Sequence, residues 1–129
     1  MLLVIDTNII VNALKSHDDN AKSVRLMRDV FTGKHKLCVS PEIMREYCNV
    51  LGRPQLGIPA DISSRILDWI DRYAFHIEPL PSTPETVEMS DEDDRPFFDT
   101  AKCLKAKLIT RNFKHYPVHE LITLLDELY

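Results

Sequence analysis

Asp6, Glu46 and Asp94 are the residues whose type and setting in this chain could do chemistry. Asp6 closes the apolar run Leu2-Leu3-Val4-Ile5 and opens the tripeptide Asp6-Thr7-Asn8. Glu46 lies in a helical stretch among Met44, Tyr47 and Val50. Asp94 ends the acidic run Asp91-Glu92-Asp93-Asp94, directly before another helical stretch. An apolar strand ending in a carboxylate delivers that carboxylate to the rim of a sheet, where open α/β folds place their sites. Carboxylates gathered at one point repel each other unless a cation neutralises them, so their convergence points to a hard divalent ion, Mg2+ or Mn2+. The chemistry that follows is metal-dependent hydrolysis of a phosphodiester.

Each acid also has a bland reading. Asp6 could cap the helix that follows it, as Asp-Thr-Asn sequences commonly do. Glu46 sits on a face that reads as partly buried, where an unpaired carboxylate destabilises, but Arg45 could satisfy it. Asp94 stands at a helix start, where the macrodipole favours a carboxylate by ~0.3–1 kcal/mol. That accounts for one acid and not for four in succession; the remainder, Asp91, Glu92 and Asp93, read most simply as a solvated turn. Asp99, further along the same helix, can face the site or turn away from it. Thr7 and Asn8 are placed to orient the Asp6 carboxylate and water.

The elements that must position these acids follow from hydrophobic periodicity. A strand is predicted over Met1 to Ile5, with a short helix through Ile9-Ile10-Val11 and Leu14. Asn20 to Phe31 reads as an amphipathic helix stopped by Gly33. Leu37-Cys38-Val39 is a short buried strand, and Ser40-Pro41 supplies an N-cap and a first-turn proline for a helix ending at Gly52-Arg53-Pro54. Another helix runs from about Asp61 to Tyr73, then a strand over Ala74 to Ile77. Pro79 to Asp93 reads as a long surface connection. Arg95-Pro96 opens the next helix and Leu108-Ile109 is a further strand. Leu121 to Leu128 is a helix, or a short strand followed by one. Strands alternating with helices predict an α/β fold: three layers, α/β/α, around a central parallel sheet of about four to five strands.

A chain of 129 residues, 44% apolar, is expected to form one domain over its whole length, 1–129. No apolar run is long enough to span a membrane, and Asp6 interrupts any secretory signal after Met1. Three cysteines (Cys38, Cys48, Cys103) without CxxC spacing suggest a reduced, cytoplasmic setting. The net charge of −4 argues against a surface coated in nucleic-acid-binding cations. It leaves room for a nuclease whose acids are concentrated at the metal and whose approach is lined by some of Lys34, Lys36, Arg45, Arg53, Lys105, Arg111, Lys114 and His115.

Read in order, four blocks of sequence resemble a PIN domain of the kind found as the toxin in bacterial and archaeal toxin–antitoxin pairs. They are Val4-Ile5-Asp6-Thr7-Asn8, Ser40 to Tyr47, Asp91 to Lys102, and Leu108 to Pro117. The resemblance implies a metal-dependent endoribonuclease acting on RNA, with Asp6, Glu46 and Asp94 as catalytic, metal-binding acids. The family often has a fourth acid after the last of these strands; here Asn112 and His115 stand in that segment. A further ligand would then have to come from Asp99 or Asp91. Thr7, Asn8 and Asn112 are the supporting residues, and Arg111, Lys114 and His115 are candidates for holding the RNA backbone. The resemblance also implies a cognate antitoxin covering the acidic cleft, and a homodimer. A PIN-fold binding module that has lost its chemistry is the alternative. A phosphotransferase using Asp6 would need a second Asp where Asn8 stands, and a receiver domain needs its phosphoacceptor on a later strand.

Overall fold

Leu3, Val4 and Ile5 are all fully buried, although consecutive residues of a strand face opposite sides of its sheet. Their strand, β1 (Leu2–Ile5), must therefore be covered on both faces, which is the condition of a central strand in a parallel α/β sheet. The computed structural model describes residues 1–129 and places β1 there. Around it stand β2 (Lys36–Val39), β3 (Phe75–His76), β4 (Lys107–Thr110) and β5 (Ile122–Leu124), in the order β3-β2-β1-β4-β5. Every pairing is parallel, as the alternation of strands and helices predicts.

The helices are α1 (Thr7–Lys15), α2 (Lys22–Phe31), α3 (Pro41–Leu51), α4 (Ala60–Tyr73), α5 (Arg95–Leu104) and α6 (Leu125–Leu128). The α/β/α layering follows from them. In α2, Ser23, Leu26, Met27 and Val30 recur at helical spacing and are buried, and the chain leaves the helix through Gly33 at φ +89°. In α5, Phe97, Phe98 and Ala101 face inward and pack the helix on β1, β2 and β4. The apolar interior is one contiguous cluster of 24 buried residues. The end of the chain resolves into a strand and a short helix, the second of the two sequence-based options. No helix is long and apolar enough to cross a membrane.

The connection between β3 and α5 carries no strand or regular α-helix, as expected, but it is tied down rather than loosely laid on the surface. Arg95, only 7% exposed, donates from Nη1 to Ser82 Oγ at 2.7 Å and from Nη2 to the Val87 carbonyl at 2.9 Å. The same guanidinium makes a two-pronged contact with Glu92, at 2.5 Å and 2.9 Å. The backbone N–H of Ser82 donates to Asp99 Oδ2 at 2.9 Å. Both ends of this clamp are on α5, so the connection and the start of the helix are held as one piece.

Helix α3 begins as its sequence dictates. Ser40 is fully buried, and its hydroxyl accepts the Ile43 N–H at 3.2 Å while Pro41 occupies the first turn. Ile43, Tyr47 and Leu51, spaced at four residues, are buried along one stripe. Replacing Ser40 with Ala removes that cap and should cost about 1 kcal/mol. Urea unfolding should show a lower midpoint with an unchanged slope; an unchanged midpoint would mean that the cap contributes nothing.

Candidate active site

The strand order reverses direction at β1: the chain moves outward to β2 and β3, then returns past β1 to β4 and β5. The crevice outside the carboxyl ends of β1 and β4 is thus the switch point at which open α/β sheets bind ligands. Asp6 follows β1 there, and its N–H continues the ladder to the Ile109 carbonyl at 3.0 Å. Its carboxylate makes no capping hydrogen bond to α1. Instead Oδ2 accepts the hydroxyl of Thr110, the last residue of β4, at 3.0 Å. The carboxylate is thereby tied to β4, while the nearby N–H groups of Thr7 and Asn8 at the start of α1 also favour its charged form.

Glu46 comes to the same rim from α3. It is not paired with Arg45, whose guanidinium reaches Glu42 on the same helix. Its carboxylate accepts the Thr7 hydroxyl, which links α3 to the first residue of α1. Asp94 enters from the 3-10 turn Glu92–Asp94 that leads into α5. No lysine or arginine forms an ion pair with Asp6, Glu46 or Asp94.

The electrostatics register this convergence. Burial pushes the Asp6 carboxyl above its ordinary value, partly opposed by the Thr110 hydroxyl. Glu46 is raised by burial and by the charges of Asp6, Asp93 and Asp91, against the Thr7 hydrogen bond. Asp94 is pushed from 3.8 to about 7, by burial first and then by Asp6 and Asp91, with Glu46 adding to them and His115 opposing. The Asp6 charge raises both Glu46 and Asp94, and Glu46 raises Asp94, so the three acids, from three separate elements, lie within electrostatic reach of one another.

Beneath it lie two tyrosines that sequence reasoning missed. Tyr47 is fully buried and donates to the Ile5 carbonyl at 2.5 Å, fixing the end of β1 from below. Tyr116, 5% exposed, has a buried hydroxyl without a partner, and burial together with the acids raises its pKa far above the ordinary phenol value. Thr110 was missed as well. Its signal was present: a hydroxyl residue ending the strand that pairs with the Asp6 strand.

The remaining candidates divide by position. Asn112 accepts the Lys114 N–H at Oδ1 (3.1 Å), and its Nδ2 lies 3.2 Å from His115 Nε2. His115 is near enough to Asp6 and Asp94 to lower both. Arg111 and Lys114 are exposed on the same segment. Asp91 stands beside the cluster, its Oδ1 accepting the Asp93 N–H at 3.0 Å. Asp99 is not brought to the cluster, because its carboxylate is engaged by Ser82 and lines a separate depression with Ser40, Glu42 and Arg95. Lys34, Lys36 and Lys105 precede or begin strands and so lie toward the amino ends of the sheet, away from this rim. Arg45 and Arg53 line a cleft of about 360 Å³ that opens beside Glu46 and Asp93.

The donor set is all oxygen, acidic and without a neutralising cation, which fits a hard divalent ion such as Mg2+ or Mn2+. As placed, no three of these acids converge on one chelating point, since Asp6 and Glu46 are each turned to a threonine.

The sequence profile of the PIN domain matches residues 2–114, almost the whole chain. The chain belongs to the PIN domain family. Members of this family are generally nucleases. The fold is also that of a crystal structure of VapBC2 from Rickettsia felis bound to a DNA fragment from their promoter. The TM-score is 0.63 at 17% identity, with 96% of this chain and 97% of that chain covered. No curated protein matches the sequence significantly.

The raised pKa of Asp94 sets a pH dependence in chelator. Between the ordinary 3.8 and about 7 the folded protein holds a proton that the unfolded chain has lost. Stability from this group is therefore full below 3.8 and falls as pH rises through about 7. Thermal melts in EDTA between pH 5 and 8 should show this decline, and Asp94→Asn should flatten it. An equal slope in the variant would remove Asp94 as its source.

Proposed function

We propose that this PIN domain is a metal-dependent endoribonuclease and the toxin of a toxin–antitoxin pair. One observation supports the reading: carboxylates from three elements stand near the switch point, each raised by burial, Glu46 and Asp94 raised further by Asp6, and none paired with a lysine or arginine. Asp6, Glu46 and Asp94 would hold Mg2+ or Mn2+. When bound, such an ion polarises the phosphoryl oxygens and lowers the pKa of a nucleophilic water.

The chain's own residues do the rest. Thr110 and Thr7 hold the Asp6 and Glu46 carboxylates at the rim, as the outer hydroxyls of a metal site do. Asp94, raised to about 7, would have to give up its proton to hold such an ion. His115, beside Asp6 and Asp94, is positioned to meet a non-bridging phosphate oxygen. Arg111 and Lys114 meet the RNA backbone further out, and Asn112 fixes the turn that carries them. Asp91 is the acid that stands nearest to replacing the missing fourth ligand. The partner expected for such a toxin is a cognate antitoxin protein seated over the acidic cleft, and the chain would work as a homodimer in the cytoplasm.

The test is cleavage of a mixed panel of labelled RNAs with Mn2+, Mg2+ or EDTA. Cleavage should need metal and fall more than about 100-fold in Asp6→Asn, beyond the 10–100-fold expected of Thr110→Val, which removes only an outer hydroxyl. Absence of cleavage together with absence of saturable Mn2+ binding would instead make the chain a PIN-fold binding module without chemistry.

A further inference from the structure

An apolar groove opens beside β5, on the far side of β4 from Asp6. Val118 is fully exposed and Phe113 is 54% exposed, both in the segment between β4 and β5. With Pro117, His119, Ile122, Leu124 and Glu127 they line a groove of about 270 Å³. Thr110, which holds Asp6, is the register partner of Leu124, so the groove at β5 and the Asp6 end of β1 flank the end of β4 on either side, about 10 Å apart.

Phe113 and His115 share the 3-10 turn Phe113–His115 and are rooted two residues apart, within about 7 Å of backbone. His115 acts on the charges of Asp6 and Asp94, whereas Phe113 lines the groove. The turn is held by the Asn112 side chain, by the Asn112 N–H to Thr110 Oγ1 at 3.1 Å, and by Ser90 Oγ to the Lys114 carbonyl at 3.3 Å. An exposed aromatic ring on a fixed turn, flanked by Arg111 and Lys114, combines the two components of single-strand recognition: a stacking face and cations for the backbone.

We propose that this groove is a nucleobase subsite, in which an unpaired base of single-stranded RNA stacks on Phe113 while its phosphate lies toward His115 and the acid cluster. The assignment rests on the ribonuclease reading for its ligand. The base is held through its π-face, so the subsite tolerates any base and positions the strand rather than reading it. Phe113 is a positioning residue: it acts on where the phosphate sits, not on the reacting atoms.

Two measurements test it. In the Asp6→Asn background with Mg2+, a fluorescein-labelled single-stranded RNA is titrated against the parent and against added Phe113→Ala, Phe113→Trp and Phe75→Ala changes. Phe113→Ala should weaken binding about 5- to 100-fold and Phe113→Trp should restore it. Phe75→Ala, at an exposed aromatic on the far edge strand, should change nothing. In the active protein, Phe113→Ala should raise KM by a similar factor with little change in kcat. Binding by Phe113→Ala equal to the parent, with cleavage intact, would overturn the subsite and leave the nuclease reading standing. Phe113-dependent RNA binding without metal-dependent cleavage by the wild type would do the reverse, and no RNA binding by the parent would overturn both. A loss of self-association in Phe113→Ala, with RNA affinity unchanged, would give the groove to a second copy of the chain.

Discussion

The pairing of β1 with β4 is the constraint on which the rest of this structure depends. It is made at the centre of the sheet and buried on both faces. It ends in the Asp6 N–H to Ile109 bond and the Thr110 hydroxyl to Asp6 carboxylate bond. Because the chain winds outward in both directions from this pair, the crevice between the strand ends stays open and no crossing connection covers it. Burying the Asp6 carboxylate there is unfavourable, and the Thr110 hydroxyl, the N–H groups of Asn8 and Thr7 and the nearby His115 offset only part of the cost, so the carboxyl remains raised. The fold therefore puts a destabilising group at its own centre, which is a common signature of a site selected for activity rather than for stability.

The two threonines play matching parts. Thr110 holds Asp6 across two strands, and Thr7 holds Glu46 across two helices, so neither acid depends on a lysine or arginine. A neutral hydroxyl orients a carboxylate without cancelling its charge, and the negative potential that would attract a cation is preserved. Where this chain does use a buried guanidinium, at Arg95, it pairs with Glu92 and clamps the preceding connection, one residue beyond Asp94. The acidic run is thereby divided: Glu92 is neutralised for structure, while Asp94 is left facing the cluster.

Much of this was legible in the sequence. The strand ending in Asp6, the Ser40-Pro41 start of the Glu46 helix and the Arg95-Pro96 start of α5 are local signals, and each held. Less legible was anything fixed by tertiary contact. Whether Arg45 would reach Glu46 or Glu42 depends on which way α3 rotates against its neighbours, and the burial of Tyr47 decides that. Asp99 lies close in sequence to Asp94, yet five residues along the helical path put it on a different face, where the irregular connection brings Ser82 to it. Lys34, Lys36 and Lys105 were plausible as rim cations until strand direction put them toward the opposite end of the sheet. Thr110 and Tyr116 carry no sequence pattern of their own, and only the register of β4 beside β1 gives them their places.

The hydrogen bond between Asp6 and Thr110 joins residues 104 positions apart. The central strand pair consequently has a very high contact order, and its formation cannot precede synthesis of β4. While the chain is emerging, β1 waits without its inner neighbour, and the acids at the end of β1, on α3 and at the start of α5 have no common centre. Any cleavage performed by these acids begins only after β4 has been made and has paired with β1, so the topology itself delays the activity until that pairing forms.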